Sequence, residues 1–96
     1  MFFYLAAKAE FMNNQLENFK VIDRKSFSEF LSLLHADYID NPEYWTNKSL
    51  PDFLEALSRY TEDIQGYYNN TQQAIDADVP HWQTFAHIFM GARIYE

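Results

Sequence analysis

The chain has no cysteine in 96 residues, so disulfide staples and thiolate metal sites are excluded and the fold must rest on packing. Two glycines and three prolines leave too little turn chemistry for the many tight reversals of an all-β protein. Helices remain. Cations are scarce: seven Lys and Arg stand against fourteen Asp and Glu, a formal net charge of −7. A chain of this sign repels phosphate backbones and anionic headgroups, so neither nucleic acid nor a membrane surface is an expected partner. Long apolar runs are also missing. The longest, Met1 to Ala7, has no cation ahead of it and is cut by Lys8 and Glu10, far short of the ~20 residues that span a bilayer and short for a signal-peptide core. A cytoplasmic protein is the expectation.

Reactive motifs are absent as well. The sequence contains no HExxH, no Gly-x-Ser-x-Gly and no glycine-rich loop that could cradle a phosphate. His35, His81 and His87 lie on separate stretches, and the last two are six apart, which is not a ligand spacing on one helical face. The adjacent pair Glu62 and Asp63 points about a third of a helical turn apart. No catalytic, cofactor-binding or metal-binding residue is nominated, and the expectation is that the protein is not an enzyme.

What is present is apolar and aromatic: 48% hydrophobic residues, with nine Phe, seven Tyr and two Trp. The pattern predicts an all-α fold, a compact three- to four-helix bundle over residues 22–96 behind an N-terminal extension, residues 1–21. In the extension, Leu5, Ala9, Met12 and Leu16 stand at helical spacing and predict a helix over Phe3 to Asn18, while Met12-Asn13-Asn14 reads as an alternative start. A second helix begins at the N-cap Asp23, or three residues later at a Ser26/Glu29 capping box, and carries the stripe Phe27, Phe30, Leu31, Leu34 and Tyr38. It should stop before Pro42. A third starts at Ser49 with Pro51 and Asp52 in its first turn. Its predicted apolar face is Leu50, Phe53, Leu54, Leu57, Ile64 and Tyr68, widened by Tyr60 and Tyr67, with Asn69 and Asn70 as left-handed terminators. A fourth begins near Asp78 or Pro80, with Trp82, Phe85, Ala86, Phe89, Met90 and Arg93 on one face and Trp82 and Phe85 expected in the core.

The segment from Asn41 to Leu50 concentrates two large rings and a proline in a loop ahead of the third helix. Such bulk either folds back into the core, its indole N–H bonded at a helix end, or presents an interface, where Tyr and Trp are common energetic anchors. The interface alternative nominates Tyr44 and Trp45 as anchors, with Asp40, Glu43, Asn47, Asp52 and Glu55 around them. From Ser26 to Ala92 ten carboxylates, Asp37 among them, face only Lys48 and Arg59. The leading expectation is therefore a non-catalytic acidic interaction domain, immunity- or inhibitor-like, that meets a basic protein partner. The competing expectation is a self-associating helical domain, a homodimer that buries surplus aromatics.

The pattern Trp45-x-Asn47-x-x-Leu50-x-x-Phe53-Leu54-x-Ala56-Leu57, followed by Trp82-x-x-Phe85-Ala86-x-Ile88 and the ending Ala92-x-Ile94-Tyr95-Glu96, resembles a small bacterial helical domain family of unknown function. The likeness runs from about Ile22 to the C-terminus and implies a helical domain without implying an activity. Pro42-Glu43-Tyr44-Trp45 leading to Leu50 and Ala56-Leu57 is also similar to the loop and helix by which barstar-type ribonuclease inhibitors plug a basic active site. No glycine follows the aromatic pair and the spacing to the leucine is one residue longer, so this is a likeness of surface chemistry and not of descent.

Overall fold

A computed structural model describes residues 15–96. From residue 19 onward the elements are α1 (Arg24–Asp40), a short 3-10 turn (Pro42–Tyr44), α2 (Leu50–Asn70) and α3 (Trp82–Ala92). Residues 15–18 are helical, and no strand occurs among the described residues. The all-α expectation holds. Most of the expected helix from Phe3 to Asn18, with the Met12 start, falls outside the described residues.

Local chemistry fixes where the helices begin and end. At α1, the Asp23 carboxylate accepts the Ser26 N–H at 2.8 Å while Ser26 Oγ accepts the Asp23 N–H at 3.1 Å. The capping box is therefore Asp23 with Ser26, and not Ser26 with Glu29; reciprocal capping of this kind contributes about 1 kcal/mol. The helix ends at Asp40, with Asn41 as C-cap directly before Pro42. Ser49 caps α2 by accepting the Asp52 N–H. The far end of α2 differs from expectation, because Asn69 and Asn70 are still helical. Gln72 takes the left-handed conformation instead, at φ 58°. Gln73 N–H then reaches Tyr68 O at 2.8 Å and Gln72 N–H reaches Asn69 O at 3.2 Å, the bond pair of a Schellman ending. The linker that follows is clamped by Gln65, whose side chain accepts the Ala77 N–H at 2.7 Å and donates to Ile75 O at 3.0 Å.

α3 is the central helix: α1 and α2 each make their main helix contacts with it. Leu16, Val21, Phe30, Leu34, Trp45 and Ala86 form the buried cluster, with Phe27, Phe53 and Phe89 packed around it. Of the expected α2 face, Ile64 and Tyr68 are enclosed and Phe53 packs against the core, whereas Leu50 and Leu54 are 69% and 53% exposed and Ala56 is buried instead. Residue size accounts for the difference. Ala56 on α2 and Ala86 and Ala92 on α3 are buried almost completely, and small side chains let two helix backbones approach closely. Trp82 and Phe85, expected in the core, stay 37% and 38% exposed. No helix among the described residues is long and apolar enough to cross a membrane.

Gly91 and Gly66 should respond oppositely to alanine. A Cβ at Gly91 would overlap the Tyr60 ring, which lies directly against it, whereas a Cβ at Gly66 meets nothing within 4 Å. Gly91→Ala should lower stability by about 1–3 kcal/mol through overpacking. Gly66→Ala should raise it by up to about 1 kcal/mol through helix propensity. Urea-denaturation midpoints of the two variants check the sign of each.

Candidate functional site

The nominated loop divides into a structural half and an exposed half. Trp45 is 7% exposed. Its indole N–H donates to Asp37 Oδ2 at 2.8 Å, and Arg93 Nη1 donates to the same oxygen at 2.9 Å. Its ring sits edge-on to Tyr38, with centroids 5.0 Å apart, and tilted on Phe53 at 5.7 Å. Asn47 is also committed: its side-chain amide donates to Ala92 O and Tyr95 O at 2.9 and 2.8 Å. The carbonyl of Arg93 takes the N–H groups of Thr46 and Asn47. Trp45 and Asn47 therefore fasten the loop to the end of α3. The Trp45 ring is spent on the core, the first of the two alternatives for this loop. Asp40, Glu43, Tyr44, Asp52 and Glu55 remain exposed.

Asp37 and Arg93 escaped nomination. Asp37 was counted among the surface acids, yet it is 2% exposed and pairs with an Arg93 that is 7% exposed. The signal was positional. Asp37 continues the buried row Phe30, Leu34 at helical spacing, and Arg93 sits on the apolar face of α3. A charge on a core face needs an opposite charge there.

A second polar network crosses the bundle near its other end. Gln83 Oε1 accepts the Val21 N–H at 2.8 Å, which fixes the orientation of the amide. Gln83 Nε2 then donates to Phe19 O and faces His87 Nε2, each at 3.4 Å. An amide NH2 only donates, so His87 Nε2 must hold a lone pair and the proton must sit on Nδ1. That Nδ1–H donates to the Tyr68 hydroxyl at 2.8 Å, and the hydroxyl donates on to Thr84 Oγ1 at 3.3 Å. The imidazole is neutral here, and burial lowers its pKa accordingly. Burial likewise raises the Tyr68 phenol. Among the described residues no three His, Cys, Asp or Glu side chains converge in a way that could hold a metal ion.

Two of the concavities that border α2 lie on different flanks of it. One is an apolar groove of about 520 Å³ lined by Phe27, Leu57, Ser58, Thr61, Phe85, Ile88 and Phe89. The other, of about 640 Å³, lies between the second half of α2 and the residues around the end of α3, and tyrosines dominate it.

Three outcomes follow from the buried networks. Arg93→Met strands the Asp37 carboxylate and should cost about 3–5 kcal/mol, a large share of a small domain's total of roughly 5–15; Trp45→Ala should unfold the domain for the same packing reasons. Far-UV circular dichroism with urea titration reads both. His87 carries a pKa depressed by burial, so its contribution is fully present above the unfolded value of about 6.5 and shrinks as pH falls below it, toward the folded value. The stability difference between the wild type and His87→Gln should narrow as pH drops from about 7.5 to about 5.5; a difference independent of pH would rule out the neutral imidazole.

Comparison with known proteins gives one match. No curated protein and no solved structure matches the chain. Residues 23–96 match the Family of unknown function (DUF7660), and since they are most of the chain, the protein belongs to that family of helical domains.

Proposed function

We propose that this domain is a non-catalytic protein-interaction module that takes an amphipathic helix of a basic partner protein into the groove between α1 and α2. The groove itself carries the reading. Among the described residues α1 and α2 make their main contacts with α3, and a groove lies between them. Its floor is Phe85, Ile88 and Phe89, its walls are Phe27 and Leu57, and its polar lining is two hydroxyls, Ser58 and Thr61. Leu54 extends the wall one turn along α2 at i−3 from Leu57 and is 53% exposed. Apolar surface of this kind, left open on a small domain, is suited to helix-in-groove recognition.

Charge favours a cationic occupant. Glu55 and Glu62 flank Ser58 at i−3 and i+4 along the outer edge of α2, and both are exposed. Glu55 meets Arg59 at 3.8 Å with both side chains largely solvated, a contact worth little. The net charge of −7 would steer a lysine- or arginine-flanked helix toward the molecule, as when an acidic inhibitor meets a basic enzyme. A second copy of the chain is the other reading, supported by the same exposed rings. It would set two equally negative molecules face to face, which opposes association. The non-catalytic part of the proposal rests on the residues: no cysteine nucleophile, no Gly-x-Ser-x-Gly, and a His87 whose two nitrogens are both engaged.

A leucine-striped helical peptide of about 16 residues, roughly four turns, tests the reading in lysine-flanked and glutamate-flanked forms. The lysine form should shift amide resonances of Leu57, Thr61 and Ile88, bind less tightly as salt rises, and lose at least about tenfold in affinity on Phe85→Glu with helicity unchanged. Equal binding of both forms, or binding indifferent to Phe85→Glu, would overturn it. Sedimentation as a dimer that Phe85→Glu dissociates would establish the self-association reading in its place.

A further inference from the structure

We infer that the tyrosine-lined cleft on the other flank of α2 is a receptor for an organic cation, the ammonium or guanidinium head of a lysine or arginine side chain from a partner protein. The site is separate from the groove and stands whether or not the groove takes a helix. Three rings wall it. Tyr60 and Tyr95 lie 4.9 Å apart at 54°, and Tyr60 and Tyr67 lie 6.5 Å apart at 55°. All three rings line the same cleft as Asp63 and Glu96, and a cation within about 6 Å of a ring centroid is attracted by the ring quadrupole.

The glycines shape the cleft: the Tyr60 ring takes the place a side chain at Gly91 would fill, and at Gly66 nothing lies within 4 Å of where a Cβ would stand. Ile94, 55% exposed, offers an apolar surface for the alkyl stem of the incoming side chain. Two carboxylates, Asp63 and Glu96, sit on the lining and supply the opposite charge. Asp63 accepts the Tyr95 hydroxyl, which orients the third ring, and a carboxylate has further lone pairs for an N–H donor. Two of the rings are held in their uncharged form: burial pushes the Tyr60 phenol up to about 12, and the bond to Asp63 raises Tyr95. Arg59 is close enough to lower Tyr95 and lies 3.8 Å from Glu55.

N-acetyl-arginine amide, N-acetyl-lysine amide, tetramethylammonium and the uncharged N-acetyl-norleucine amide are the probes, titrated into the intact chain and followed by aromatic proton resonances. The two cationic side-chain mimics should shift Tyr60, Tyr67 and Tyr95 together, and norleucine should not. Asp63→Asn and Tyr67→Leu, at exposed positions, should each weaken binding about three- to tenfold without moving the urea midpoint. Equal shifts with norleucine, no shift with either mimic, or unchanged affinity in both variants would overturn the assignment. Binding of tetramethylammonium alone would overturn the protein side chain as the source, in favour of a free quaternary amine.

Discussion

A single carboxylate oxygen, Oδ2 of Asp37, receives both the indole N–H of Trp45 and the guanidinium of Arg93. Three parts of the chain meet there: the last turns of α1, the loop that follows it, and the end of α3. The same arginine holds the loop a second time through its carbonyl, so the path from Asn41 to the start of α2 is set by one residue near the C-terminus. Removing two charges from water is costly, and an apolar trio of equal volume could be as stable. What the ionic arrangement adds is direction: only one placement of loop and helix end satisfies the carboxylate. Asn41, immediately after α1, shows the contrast. Its Nδ2 is buried without a partner among the described residues, a deficit of about 1–3 kcal/mol that the neighbouring network offsets.

With that end tied, the small residues decide the rest of the shape. Gly91 admits the Tyr60 ring of α2 against α3, Ala56 is buried while Leu54 is exposed, and Leu57 lines the gap beside α1. The groove and the tyrosine cleft lie on two sides of α2, with Leu57 on one and Tyr60 and Tyr67 on the other.

How much could be read from the chain beforehand follows the range of each interaction. The caps at Asp23 and Ser49 and the stop before Pro42 are decided within a few residues, and they were legible. The family relationship over 23–96 was likewise visible in the Trp, Leu and Ala spacing near α2 and α3. The Asp37–Arg93 pair spans 56 residues, and an isolated carboxylate on an acidic chain reads as one more surface acid. Leu50 and Leu54 matched a helical stripe as well as Ala56 did. Hydrophobicity ranks the leucines higher, whereas the distance between helix axes, absent from any local pattern, favours alanine. Trp45 posed a balanced choice between core and surface, and the distant arginine resolved it. The tyrosine cleft had no local signature, since its rings come from α2 and from beyond α3.

The hold on the segment ahead of α1 has a consequence for how that seam tolerates change. Gln83 grips it through the Phe19 carbonyl and the Val21 amide, both main-chain groups that every non-proline residue supplies. Side-chain identity there is constrained chiefly by burial at Leu16 and Val21. Exchanging neighbouring residues should leave the seam intact, whereas inserting or deleting a single residue would slip the phase between those buried positions and the two main-chain groups, undoing an attachment that reads spacing in place of sequence.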